Sequence, residues 1–143
     1  MNIYHVLESK GILLPSPPPK GGVYTPVKEF GDNFLYCSGC GPDLGNGNTI
    51  IGKLGDSLSI EDGQKAAYNC MLNLLANLHA KIGDLNKKLC KITCFCEQHR
   101  QFHRTAISCK WSVQFTHRHF RRRNGLSCTL CNWYEFTSWR NRM

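Results

Sequence analysis

Apolar positions along this chain keep a helical period in one place above all. Ala66, Ala67, Cys70, Met71, Leu74, Leu75, Leu78 and Ile82 recur at three- and four-residue steps and form one stripe, which predicts a helix from Ser59 to about Ile82. Ser59 has the chemistry of an N-cap, and Asp62 three residues on approximates a capping box. Glu61 and Asp62 suit the positive end of the helix, and Gly83 suits the position just past its end, where positive φ is needed. A stripe this wide needs a cover, and the β-type runs on either side make a sheet the expected one.

Those runs are Val23 to Phe30 and Phe34 to Ser38, joined through the turn residues Gly31, Asp32 and Asn33 as a hairpin, and Leu89 to Phe95 after the helix. Before them, Met1 to Leu14 opens with a short helix, and Pro15-Ser16-Pro17-Pro18-Pro19 is an extended connector. Gly39-Cys40-Gly41-Pro42 breaks the second run, and Asp43 to Gly47 reads as a polar loop. Gly41, Gly45 and Gly47 lack the Lys-Ser/Thr pair and the spacing of a phosphate cradle. After Phe95 the periodicity fades, and 96–143 reads as a poorly ordered tail.

Charge divides the chain at the same place. The net charge is +8. Residues 1–94 hold nine Lys, no Arg and eight acidic residues, a balance of +1, whereas 95–143 hold one Lys, eight Arg and two acidic residues, a balance of +7. All three Trp and four of the six His also fall in the second part, so two stretches of different character are joined. No run of eighteen apolar residues is present and the first ten residues lack the apolar core of a signal peptide, so a cytoplasmic protein with no membrane partner is expected. Nine cysteines, an odd number, then read as thiols or metal ligands rather than a disulfide framework.

Five stretches, taken together, resemble the RidA/YjgF family, also called the endoribonuclease L-PSP family, and within it the subgroup with a long Leu-Pro-rich N-terminus. They are Leu7 to Pro15, Gly22 to Val27, Leu35 to Pro42, Gly52 to Gly55, and Glu61 to Ala67 running into Leu72 to Ala76. The resemblance covers 1–95 and implies a chorismate-mutase-like α+β fold, with helices on one face of a mixed sheet and homotrimers carrying active sites between subunits. It implies hydrolysis of reactive enamines and imines of the 2-aminoacrylate and 2-iminopropanoate type to a 2-keto acid and ammonia, without metal or organic cofactor. Tyr24, Ser38 and Gly39 match positions that line the cleft and are the expected substrate-binding residues. The family's carboxylate-gripping Arg lies in a late H-A-R or P-A-R motif that this chain lacks, so no catalytic residue is intact and impaired activity is expected.

The genetic code offers a reason for the departure. One coding of Cys96 to Thr105, read one nucleotide on, gives V-N-S-T-D-N-F-T-E, Ala106 to Ser112 allow Q-P-L-V-V-N-G-A, and Gly125 to Trp133 allow Y-H-A-R-S-A-I-G. Synonymous codons are chosen freely in such a match, but Trp has one codon, and shifted by one it always begins a Gly codon. Trp111, Trp133 and Trp139 all fall on glycines of the family pattern, and Cys128 and Cys131 fall on its alanines. The expectation is a frameshift near Cys94 to Cys96, leaving 1–95 as an incomplete domain that folds poorly.

Two other readings compete. Cys37-x-x-Cys40 and Cys128-x-x-Cys131 have zinc-knuckle spacing, with Cys94, Cys96, His99, His117 and His119 as further ligands. Arg121 to Arg123 beside His117, Arg118, His119 and Trp111 have the chemistry of a nucleic-acid surface. A basic, zinc-stabilised nucleic-acid module is therefore the first alternative, and a non-catalytic RidA-like scaffold is the second. Neither is preferred: the family pattern accounts for the first pair without metal, and the shifted frame accounts for the second pair and the arginines, so no metal and no specific nucleic-acid partner is expected. Cys70 and Cys90 read as small core residues.

Overall fold

The computed structural model describes residues 2–32, 34–86 and the backbone strands 91–97 and 127–133. The elements are α1 (Ile3–Ser9), β1 (Val27–Phe30), β2 (Phe34–Cys37), β3 (Asp43–Gly45), β4 (Asn48–Thr49), α2 (Ile60–Ile82), β5 (Lys91–Glu97) and β6 (Ser127–Trp133). They make an α+β chain that divides into two compact units, one of Met1–Ile50 with Tyr68–Lys88 and one of Ile51–Ala67 with Leu89–Met143. Among the described residues no helix is long and apolar enough to cross a membrane.

In the first unit β1 and β2 pair antiparallel, with Val27 opposite Cys37 and Phe30 opposite Phe34. Pleating then puts Lys28, Phe30, Phe34 and Tyr36 on one exposed face, while Val27 is buried on the other. Strand β1 is shorter than the Val23–Phe30 run because Pro26 offers no N–H to a ladder and residues 21–24 bend after a Gly pair. The stretch expected as a loop at Asp43 to Gly47 is instead a second small hairpin, β3 with β4. Its turn is Asn46-Gly47, both at positive φ (54° and 75°), the geometry that lets a two-residue turn follow strand twist.

The Tyr68–Lys88 part of α2 supplies the centre of this unit. Met71, Leu75, Ala76 and Leu78 are buried, Leu75 completely, with Ile3, Val6 and Leu7 from α1 and Leu85 beyond the helix. A second row lies beside the apolar stripe, at four-residue steps. Asn73 donates to the carbonyls of Gly41 (3.1 Å) and Asp43 (2.9 Å), Asn77 donates to the Cys40 sulfur (3.3 Å), and Lys81 pairs with Glu29 (3.4 Å). This row ties the helix to the strands. At the helix end Gly83, φ +69°, donates to the His79 carbonyl at 2.8 Å. The Tyr4 hydroxyl donates to the Gly83 carbonyl (3.3 Å) and accepts from the Leu85 N–H (2.9 Å), and Asn86 accepts from the Ile3 N–H (2.9 Å), so α1 is fastened to that end.

The second unit holds the start of α2. Ser59 accepts from the Asp62 N–H at 3.1 Å, and Asp62 accepts from the Ser59 N–H (3.2 Å) and hydroxyl (2.7 Å), a reciprocal cap with Asp in the place of the usual Glu. Before it, residues 53–58 make a tight turn around buried Leu54, in which Leu58 donates to the Lys53 carbonyl at 3.0 Å. Gly52, φ +149°, is required here, since a Cβ would sit 2.6 Å from the Ser57 hydroxyl and 2.8 Å from Leu58. Strands β5 and β6 pair in parallel, Lys91 with Ser127 through Glu97 with Trp133. Strand β6 thus lies within the stretch read from sequence as a poorly ordered tail, and its partner β5 spans the compositional break at 94/95. Apart from these strand residues, the tail and its Arg121 to Arg123 cluster lie outside the described residues.

Candidate functional site

The loop before β1 and the end of β2 converge. Ser38 follows β2, and its backbone N–H donates to the Pro26 carbonyl at 2.8 Å, extending the ladder by one bond. Its hydroxyl donates to the Thr25 carbonyl at 2.9 Å. Two bonds from one residue thus fix the loop that carries Tyr24. Tyr24 is 43% exposed. Its N–H donates to the Gly22 carbonyl (3.1 Å) and its hydroxyl oxygen accepts from the Gly21 N–H (3.4 Å). The phenol folds back over the Gly pair, and its own O–H proton stays available for a ligand. Gly39 is exposed, and a Cβ there would meet nothing within 4 Å. Of the three expected residues, Ser38 and Tyr24 are joined through Thr25, and Gly39 leaves the strand end open.

A shallow cavity of about 380 Å³ is lined by Lys20, Gly22, Val23, Tyr24 and Thr25. Lys20 was not among the residues expected from sequence, because one lysine after a Pro-rich run carries no pattern. A larger cavity of about 420 Å³ has Leu7, Ile12, Leu14 and Ala76 among its walls, with Tyr4 and His79 in edge-to-face contact. It shares no lining residue with the first.

Cys37 and Cys40 flank Ser38 and Gly39. Both are half-buried thiols. Burial pushes the Cys37 pKa above the ordinary value, and the neighbouring Cys40 adds to the rise. Burial also raises Cys40, against the opposing effect of the hydrogen bond from Asn77. Two thiols do not by themselves complete a tetrahedral site, and the described residues contain no group of three His, Cys, Asp or Glu side chains able to hold an ion. The side chains of Cys94, Cys96, Cys128 and Cys131, and residues His99, His117 and His119, lie outside the described residues.

No protein-family model matches this chain. Protein TCP17 of Trypanosoma cruzi is 32% identical over 98 residues, covering 67% of this chain and 61% of that protein, so the chain spans less than two thirds of this curated relative. A crystal structure of a "putative endoribonuclease" from Shewanella oneidensis MR-1 superposes with a TM-score of 0.83 at 21% identity, covering 92% of this chain and 88% of the other. The protein Atu1372 from Agrobacterium tumefaciens, of unknown function, superposes with a TM-score of 0.77 at 23% identity, covering 92% and 82%. At these identities the likeness shows the fold alone: the chain shares the fold of these two structures, and its α+β class is the one expected from sequence.

Proposed function

We propose that this chain is a RidA/YjgF-family protein built to hydrolyse small 2-imino and 2-enamino acids, working in the cytoplasm and at a reduced rate for want of its late arginine. The observation that supports this reading is the Ser38–Thr25 bond of 2.9 Å, which ties the loop carrying Tyr24 to the end of β2 in a chain of this fold. In the reaction, water adds to the imine carbon, the carbinolamine expels ammonia, and a 2-keto acid remains. Tyr24 has a hydroxyl proton to donate to the substrate, and Gly39 lets a flat ligand approach the backbone. A point charge or hydroxyl replaces a guanidinium fork poorly, because the fork makes two parallel bonds to a carboxylate. We attribute the missing fork to a frameshift near Cys94 to Cys96, which the nucleotide sequence of that stretch tests directly.

The exposed face of β1 and β2 supports self-association. Phe30 and Phe34 are each about half exposed and stack with ring centroids 5.7 Å apart, and Tyr36 is 69% exposed beside them. Three aromatics on one sheet face are a surface that a second copy would cover, as a trimer requires.

The experiment is to generate 2-iminopropanoate in the presence of the purified chain and follow pyruvate and ammonia. Release faster than the spontaneous rate supports the reading, and a spontaneous rate at all protein concentrations rejects it. Because the solved neighbour's description names an endoribonuclease, RNA cleavage is assayed alongside.

A further inference from the structure

We propose that Lys20 holds the substrate's carboxylate, with the Tyr24 hydroxyl as the second point of contact. The inference rests on the imine-hydrolase reading and adds to it the group that takes over the missing arginine's charge.

Lys20 and Tyr24 line the same cavity of about 380 Å³, large enough for a three- or four-carbon acid. Lys20 is exposed, and among the described residues no carboxylate lies within ion-pair distance of it, whereas Lys65 and Lys81 each pair with an acid. No acidic residue lines this cavity. The Tyr24 hydroxyl is fixed by the Gly21 N–H, and that bond uses a lone pair and leaves the proton. An ammonium and a fixed O–H donor at one cavity, with no competing anion in its wall, select a small monoanion. The carboxylate of a 2-imino acid takes one oxygen to each donor, which leaves the imine carbon toward the rest of the cavity. A flexible four-carbon stem and a single charge hold an anion less firmly than a fork does, in keeping with a slowed enzyme.

Binding is read separately from turnover. The full chain and its Lys20→Met, Lys20→Arg and Tyr24→Phe variants are titrated with pyruvate and with uncharged pyruvamide by calorimetry or NMR, and imine hydrolysis is measured on each. Lys20 makes no hydrogen bond within the described residues, and circular dichroism of each variant checks that it folds as the parent does. Lys20→Met is expected to weaken pyruvate binding by about five- to tenfold, with a loss that shrinks at high salt, and to leave pyruvamide unchanged. Lys20→Arg is expected to keep most of the affinity. Equal pyruvate affinity in Lys20→Met and parent overturns the proposal, and if the parent still hydrolyses the imine the hydrolase reading survives that failure. Lys20-dependent pyruvate binding without any hydrolysis has the opposite meaning: the subsite stands and the hydrolase reading falls. A parent that binds neither ligand and hydrolyses nothing removes both.

Discussion

The side-chain amide of Asn77 donates to the Cys40 sulfur at 3.3 Å, joining the last two turns of α2 to the loop that follows β2. Cys40 is held above the ordinary thiol pKa by burial, and this hydrogen bond works in the other direction by stabilising the thiolate. Replacing Asn77 by Ala removes the lowering influence. The pH midpoint for alkylation of Cys40, read by mass spectrometry, is expected to move upward, while the parent's thiols already react more slowly at neutral pH than an unburied cysteine. Both thiols are raised, so between the ordinary value of 9.0 and their folded values the unfolded chain loses protons first. Their contribution to stability is therefore complete below pH 9 and declines above it.

Asn73 is 3% exposed and makes two hydrogen bonds to backbone carbonyls of the segment running into β3. Leu in its place would leave both carbonyls without that donor and put apolar bulk against them. Asn73→Leu is expected to destabilise the chain by about 1–3 kcal/mol, measured by urea unfolding, although by hydropathy it improves the helix. A neutral or stabilising result would mean that the row of Asn73, Asn77 and Lys81 does not fasten the helix to the strands.

The Ser59–Asp62 cap gives a pH signature. The hydrogen bonds from the Ser59 hydroxyl and backbone hold the Asp62 carboxyl below its ordinary value of 3.8. A depressed carboxylate contributes stability above the unfolded pKa and loses it as pH falls through the folded one, so the helix start should loosen below about pH 4. Asp62→Asn should flatten that part of the profile in circular dichroism. Ser59→Ala should cost about 1 kcal/mol near neutral pH, as loss of an N-cap does.

Much of the helix could be read from sequence because periodicity, cap and terminating glycine agree over more than twenty residues. Met71, Leu75 and Leu78 are buried as their spacing implies. The role of the asparagines beside them is not legible in sequence, because an Asn facing a strand and an Asn facing water look alike until the acceptor is located. The β3–β4 hairpin is hard to read from sequence although Asn46-Gly47 is a strong two-residue turn signal, since its flanks lack alternating apolar residues. Strand β6 pairs in parallel with a partner far back in the chain, and Ser127-Cys128-Thr129-Leu130 has little of the apolar run such a strand usually shows. Tyr24, Ser38 and Gly39 are candidates that only the family resemblance supplies. Nothing in spacing alone joins residue 24 to residue 38; the hairpin register does, by bringing Ser38 back beside Thr25 and Pro26. Lys20 becomes visible only when the cavity does.

The most direct test compares hydrolysis of 2-iminopropanoate by this chain and by a version whose residues from 96 onward are translated in the neighbouring frame, restoring the H-A-R arginine. The restored chain is expected to hydrolyse the imine about 10- to 100-fold faster, the range that a bidentate charged hydrogen bond supplies. Equal rates in the two chains, or no rate above background in this chain, would contradict the account.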